Sequence, residues 1–253
     1  MKTGKLLIVI IFLIGQACLD GNNFNEAVTG KTGSITRFAV KGDYLYSLDM
    51  NQILVFEIFD NGETEQVNAV PADYGLETII IYDETIYVGS TSALYILDIS
   101  VPATPVILSK LDREEILIGG CDPVVVKDNY AYSTVKIIEN RCGRLSAVSQ
   151  LIVYDVSDKK NPFEVNTFPM DQPNGLGYKD NHLFVCDQGV DKIQIFDITV
   201  PTNPAYIGFV NLVDPIDLIP NGETMIVSTA NDFVIYDITD VNNITRLSSI
   251  PKK

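Results

Sequence analysis

Short runs of apolar residues recur along the chain, each about six residues long and each closing on an acid followed by Ile or Val. They read ILVFEI (53–58), ALYILDI (93–99), LIVYDV (151–156), IQIFDI (193–198) and FVIYDI (233–238). The acids are Glu57, Asp98, Asp155, Asp197 and Asp237, spaced 41, 57, 42 and 40 residues apart. Three other short segments accompany each run. One precedes a tight turn (Lys41-Gly42-Asp43, Asp83-Glu84, Asp128-Asn129, Asp180-Asn181, Asn221-Gly222) and one follows it, as in YLYSL, TIYVGS, YAYST, HLFVCD and TMIVST. The last is more polar: EQVNAV, VILSKL, FEVNTF, AYIGFV and TRLSSI. Alternating Tyr and β-branched residues bounded by Gly, Asn and Asp predict strands joined by hairpins. A period of about 40 residues made only of short strands predicts an all-β fold, a five-bladed β-propeller of four-stranded antiparallel blades.

In order along a repeat the strands are A, B, C and D, with the acid-ending run as C. The expected repeats are about 34–70, 75–111, 119–168, 172–210 and 213–250, in one domain over 34–253. A blade cannot bury both faces alone, so the five are expected to stack into a single ring. Repeat 5 has its own strand D, so the ring can close without a strand exchanged from the N-terminus, while residues 24–28 could still add an edge strand or cover the seam.

After the marker acid comes a second signature: Asp98-Ile99-Ser100-Val101-Pro102-Ala103-Thr104-Pro105, Asp155-Val156-Ser157 through Asn161-Pro162, and Asp197-Ile198-Thr199-Val200-Pro201-Thr202-Asn203-Pro204. Repeat 5 has a degenerate copy, and repeat 1 has Glu57-Ile58-Phe59-Asp60 instead. A carboxylate that recurs once per blade builds the turn by accepting backbone N–H bonds two residues on. These strings resemble the LVIVD-repeat family of bacterial proteins over about residues 34–250. The resemblance implies a propeller, often an exported lipoprotein, and supplies no catalytic residue.

The N-terminus adds localisation. A basic start (Lys2, Lys5) and nine apolar residues (6–14) form a signal peptide over 1–17, too short to span a bilayer. Small residues before Cys18 resemble a lipobox, so Cys18 is the expected lipidated mature N-terminus and 18–33 a polar tether. The expected location is the cell envelope, as an outer membrane lipoprotein held by its acyl chains. The net charge of −15 argues against nucleic acid as a partner. Export permits a disulfide between Cys121 and Cys142, while Cys186 reads as a small buried hydrophobe.

The A–B and C–D turns share one face of a propeller and the B–C and D–A loops the other. The latter vary here, so function is expected on their face. Repeat 3 carries a B–C insertion over 135–150 with Arg141 and Arg144, a basic lip. Asp49, Asp122, Asn174, Asp187, Asp191, Asp214 and Asp232 come from the same set of loops. Of these, Asp122, Asp187, Asp191, Asp214 and Asp232 suggest an acidic ring able to take a divalent cation such as calcium or an amine, or simply a solvated rim. The sequence has no zinc-type Cys/His cluster, no nucleophile elbow and no phosphate loop, and its one histidine, His182, falls beside an A–B turn. The reading is a binding or scaffolding module for an envelope protein partner, without an assigned cofactor. The alternative is a sugar, cation or small-ligand binder, or a carboxylate-based enzyme, at the channel mouth.

Overall fold

The computed structural model describes residues 34–112, 123–136 and 149–252. They form five separate four-stranded antiparallel sheets, each built from consecutive strands. Blade 1 comprises β1 (Phe38–Lys41), β2 (Tyr44–Leu48), β3 (Gln52–Ile58) and β4 (Thr64–Pro71). Blade 2 comprises β5 (Leu76–Tyr82), β6 (Thr85–Ser90), β7 (Ala93–Asp98) and β8 (Val106–Asp112). Blade 3 comprises β9 (Val124–Lys127), β10 (Tyr130–Val135), β11 (Gln150–Asp155) and β12 (Phe163–Pro169). Blade 4 comprises β13 (Pro173–Lys179), β14 (His182–Asp187), β15 (Lys192–Asp197) and β16 (Ala205–Asn211). Blade 5 comprises β17 (Pro215–Asn221), β18 (Thr224–Thr229), β19 (Asp232–Asp237) and β20 (Thr245–Pro251). The expected fold is therefore the observed one, and repeat 5 does supply its own outer strand.

Local chemistry explains the hairpins. Each A–B turn has two residues, and its first has a left-handed backbone: Gly42, Asp83, Asp128, Asp180 and Gly222, with φ between 50° and 62°. Only glycine and the short polar residues visit that region at low cost. The marker acids build the next turn as expected. Asp98, Asp155, Asp197 and Asp237 each accept the backbone N–H two residues on, at 2.7–2.9 Å. For Asp98 the Ser100 N–H, and for Asp197 and Asp237 the Thr199 and Thr239 groups, hold the carboxyl below its ordinary range.

The blades pack through alternate residues. In strand B the third residue faces the next blade, and Tyr46, Tyr87, Tyr132 and Phe184 are fully buried there. Tyr46 Oη donates to Pro102 O at 3.0 Å, and Tyr132 Oη to Pro201 O at 3.3 Å. The second residue faces the previous blade, and Ile86, Ala131, Leu183 and Met225 are fully buried. One apolar cluster joins blades 1 and 2, another blades 2, 3 and 4, and a third blades 4 and 5.

No such cluster joins blade 5 to blade 1 among the described residues, and no strand of one packs closely against a strand of the other. Among the described residues, then, the expected single ring is left open between blades 5 and 1, and the five blades trace an arc. Burial is the physical record of the gap. Ile226 occupies the position of the buried strand-B aromatics yet is 37% exposed, and Phe233 beside it is 42% exposed. On the other side Phe38 is 56% and Val40 44% exposed. Their equivalents in register, Ile79, Val124, Leu176 and Leu218 for the first and Ile81 and Val126 for the second, are buried.

Candidate functional site

Three features could hold a partner: the loop face singled out by the sequence, the central channel, and the open seam. On the loop face the structure brings some of the predicted residues together. Gln188 is the hub. Its Oε1 accepts from Lys136 Nζ at 2.9 Å and Asn174 Nδ2 at 3.2 Å, and its Nε2 donates to Asp214 Oδ1 at 3.4 Å. Asp191 Oδ1 accepts from the Asp214 N–H at 2.9 Å. Both aspartates have left-handed backbones, with φ of 54° and 50°. Asp187 is fully buried behind them and accepts from the Asp171 and Gln172 N–H groups and from Gln194 Nε2 at 2.6 Å. These are loop-building roles, and Gln188 carried no sequence signal beyond lying between Asp187 and Asp191.

Asp49 and Asp232 sit apart, in the B–C turns of blades 1 and 5. Asp49 caps the Met50 N–H and accepts from Gln52 Nε2, which together draw its carboxyl below the ordinary range. Asp232 lies in a turn closed by Thr229 Oγ1. Among the described residues no group of three His, Cys, Asp or Glu side chains is placed to hold a metal ion. Cys18, Cys121, Asp122, Arg141, Cys142 and Arg144 lie outside the described residues. Cys186 is a free thiol, buried, and burial pushes its pKa well up.

The channel is crossed on the loop-face side by residues 34–36. Ser34 Oγ donates to Asp217 Oδ1 at 3.0 Å and accepts from the Leu176 N–H at 2.7 Å, which ties it to blades 5 and 4. Thr36 bonds Ile79 of blade 2 in both directions, through its backbone oxygen and its hydroxyl. Asp217 is the site residue that sequence reasoning missed. It is buried, and burial pushes its pKa up to about 6 despite bonds from Leu218, Ser34 and Ile35. A close approach of blades 4 and 5 fixes it: a Cβ on Gly175 would lie 2.0 Å from Asp217 Oδ1.

The opposite end of the channel, among the A–B turns, holds a cavity of about 330 Å³. Blades 2 to 5 line it, with Ile80, Val125, Leu176 and Leu218 inside and Tyr82, Tyr178 and Lys179 toward the turns. The cavity therefore lies toward the mouth opposite to the one expected. The reason is the 34–36 crossing, which no local pattern in the sequence announces. Tyr82 Oη accepts from the Asp128 N–H, and Lys179 Nζ donates to Ile238 O. Burial pushes Tyr178 up to about 12, so it stays a neutral donor at physiological pH.

Comparison with known proteins adds the repeat and the fold. Residues 77–112, which coincide with blade 2, match the LVIVD repeat. No curated protein matches the chain. Among solved structures, a Lactobacillus plantarum protein is similar with a TM-score of 0.68 and 12% identity, over 82% of this chain and 67% of that one. A periplasmic gluconolactonase from Pseudomonas aeruginosa is similar with a TM-score of 0.62 and 11% identity, over 84% of this chain and 69% of that one. A chain of a nidogen/laminin complex is similar with a TM-score of 0.57 and 15% identity, over 82% and 75%. Identities this low carry the propeller fold and nothing finer.

Proposed function

We propose that the chain is an exported, lipid-anchored propeller that serves as a binding module for a protein partner in the bacterial envelope. The observation that supports this reading is the open seam. Two sheet faces of interior composition stand exposed at the ends of one arc, with Phe38 and Val40 on one side and Ile226 and Phe233 on the other. Contiguous apolar surface of this kind is costly in water and marks interaction sites. The test is a photo-crosslinking residue at position 38 or 226, with position 106 on the exposed outer strand of blade 2 as the control. A reproducible protein adduct from the seam positions alone supports the reading. Equal labelling at all three positions, or none with abundant protein, contradicts it. Anchoring is tested separately: acyl incorporation should vanish in Cys18→Ser.

A second reading is favoured by the cavity, whose aliphatic walls and tyrosine-lined end suit a small ligand with an apolar body. One structural relative named as a gluconolactonase makes sugar lactones the first ligands to try. A thermal shift with such a ligand, lost when Ile219→Trp fills the cavity, would establish this reading. The absence of any shift across sugars and lactones would remove it.

A further inference from the structure

We infer that the partner at the seam is a second copy of this chain, docked head to tail with blade 5 of one copy on blade 1 of the next. This inference rests on the protein-binding reading above. The interior junctions share one grammar. Every interior junction sets a leading face, strand-B residue three with its neighbours, against the trailing face of the following blade. At three of the four junctions strand D of the first blade also donates a side-chain bond to the C–D turn of the second; at the fourth the equivalent residue is Gly208, which has no side chain to donate. Asn68 Nδ2 donates to Ala103 O at 3.1 Å, Ser109 Oγ to Lys159 O at 2.7 Å, and Asn166 Nδ2 to Thr202 O at 3.1 Å.

Blade 5 presents that same leading face to water. Ile226 and Phe233 stand in the positions of Tyr46 and Ile53, and Ile250 pairs with Phe233 as Val70 pairs with Ile53. Ser248 stands opposite Ile235 as Asn68, Ser109 and Asn166 stand opposite their strand-C residues. Its hydroxyl is exposed and makes no hydrogen bond to another described residue. Blade 1 presents the trailing face that such a surface meets elsewhere: Phe38 and Val40, with Leu45, Leu54 and Phe56 half-buried behind them. The backbone carbonyls of Asp60 and Asn61 stand in its C–D turn.

The two faces are thus complementary in kind, and each continues the stack already formed between blades 1 and 2 and between blades 4 and 5. Within one chain they do not meet among the described residues. A contact between two different faces is heterologous, so copies would add into a ring or an open chain rather than stop at a symmetric pair. Each copy carries a net charge of −15, so association should strengthen as salt screens repulsion.

Sedimentation velocity of the full chain in detergent, over about a hundredfold range of concentration, is the test. The wild type should associate with rising concentration and more so at high salt. Phe38→Asp removes only the trailing face and Ile226→Asp only the leading face, so each variant alone should be monomeric. Mixed together, they retain one good face each and should form a dimer that grows no further. Both positions are solvent-exposed, and unchanged circular dichroism confirms folding. A wild type that stays monomeric throughout, or a mixture that does not pair, overturns the inference. If a different protein is then crosslinked at positions 38 and 226 in cells, self-association fails while the protein-binding reading stands. If nothing is crosslinked, both fail.

Discussion

At Asp217 two requirements oppose one another. The carboxylate organises the chain entry by accepting from Ser34 and from backbone N–H groups, yet burial raises its pKa to about 6. A group whose folded pKa lies above its unfolded value contributes stability that is complete below the unfolded value and lost as pH rises through the folded one. The protein should therefore gain on the order of 2–3 kcal/mol from this group on going from pH 7 to pH 4. Urea melts at several pH values check it, and Asp217→Asn should flatten the profile over that window. The turn acids Asp98, Asp197 and Asp237 act with the opposite sign. Their carboxyls are depressed, so their contribution is present above the ordinary carboxylate pKa and lost below it, and stability should turn down in stronger acid. Ser34→Ala strands the Leu176 N–H and one Asp217 bond, and should cost about 1–3 kcal/mol in the same assay. None of this was legible in the sequence. Asp217 reads as one polar position in an alternating strand, and Ser34 lies 183 residues away in a polar lead-in.

The blades themselves were legible because their signals are local. Turn residues with left-handed backbones, period-two strands and a carboxylate two residues before its N–H partner are all written within about ten positions. Packing between blades was half legible. The strand-B aromatics announced a repeated role, and the structure shows it to be contact with the next blade. Their burial sets a prediction. Tyr87→Ala should cost about 3–5 kcal/mol, as expected for a large buried side chain, and Tyr46→Phe about 1 kcal/mol for the bond to Pro102. Ile226→Ala, at the equivalent place on the open face, should cost less than about 1 kcal/mol in the dilute chain. Chemical denaturation of the three variants side by side checks the contrast. Two departures in the sequence sit on either side of the seam: Ile226 where the other blades have an aromatic, and a first repeat without the Pro-containing turn. Read alone they are degeneracy. Beside the burial pattern they mark where the interior packing stops.

At the scale of the molecule, curvature decides what sequence periodicity does not. A count of repeats says how many blades exist, but the angle between them is set by close approaches such as that of Gly175 to Asp217. The predicted loop-face residues fared accordingly. Asn174, Asp191 and Asp214 do converge, but around Gln188 and Lys136, and Asp187 is spent on holding the loop. The arc leaves two unpaired faces at its ends, and thiol reactivity reads their exposure. In the dilute chain with Cys121 and Cys142 replaced by Ser, Phe38→Cys and Ile226→Cys should each react with a maleimide at the rate of an exposed thiol, while the native Cys186 stays protected until unfolding. Slow labelling at both positions, restored only by denaturant, would mean that blades 5 and 1 are packed together and would contradict the open arc.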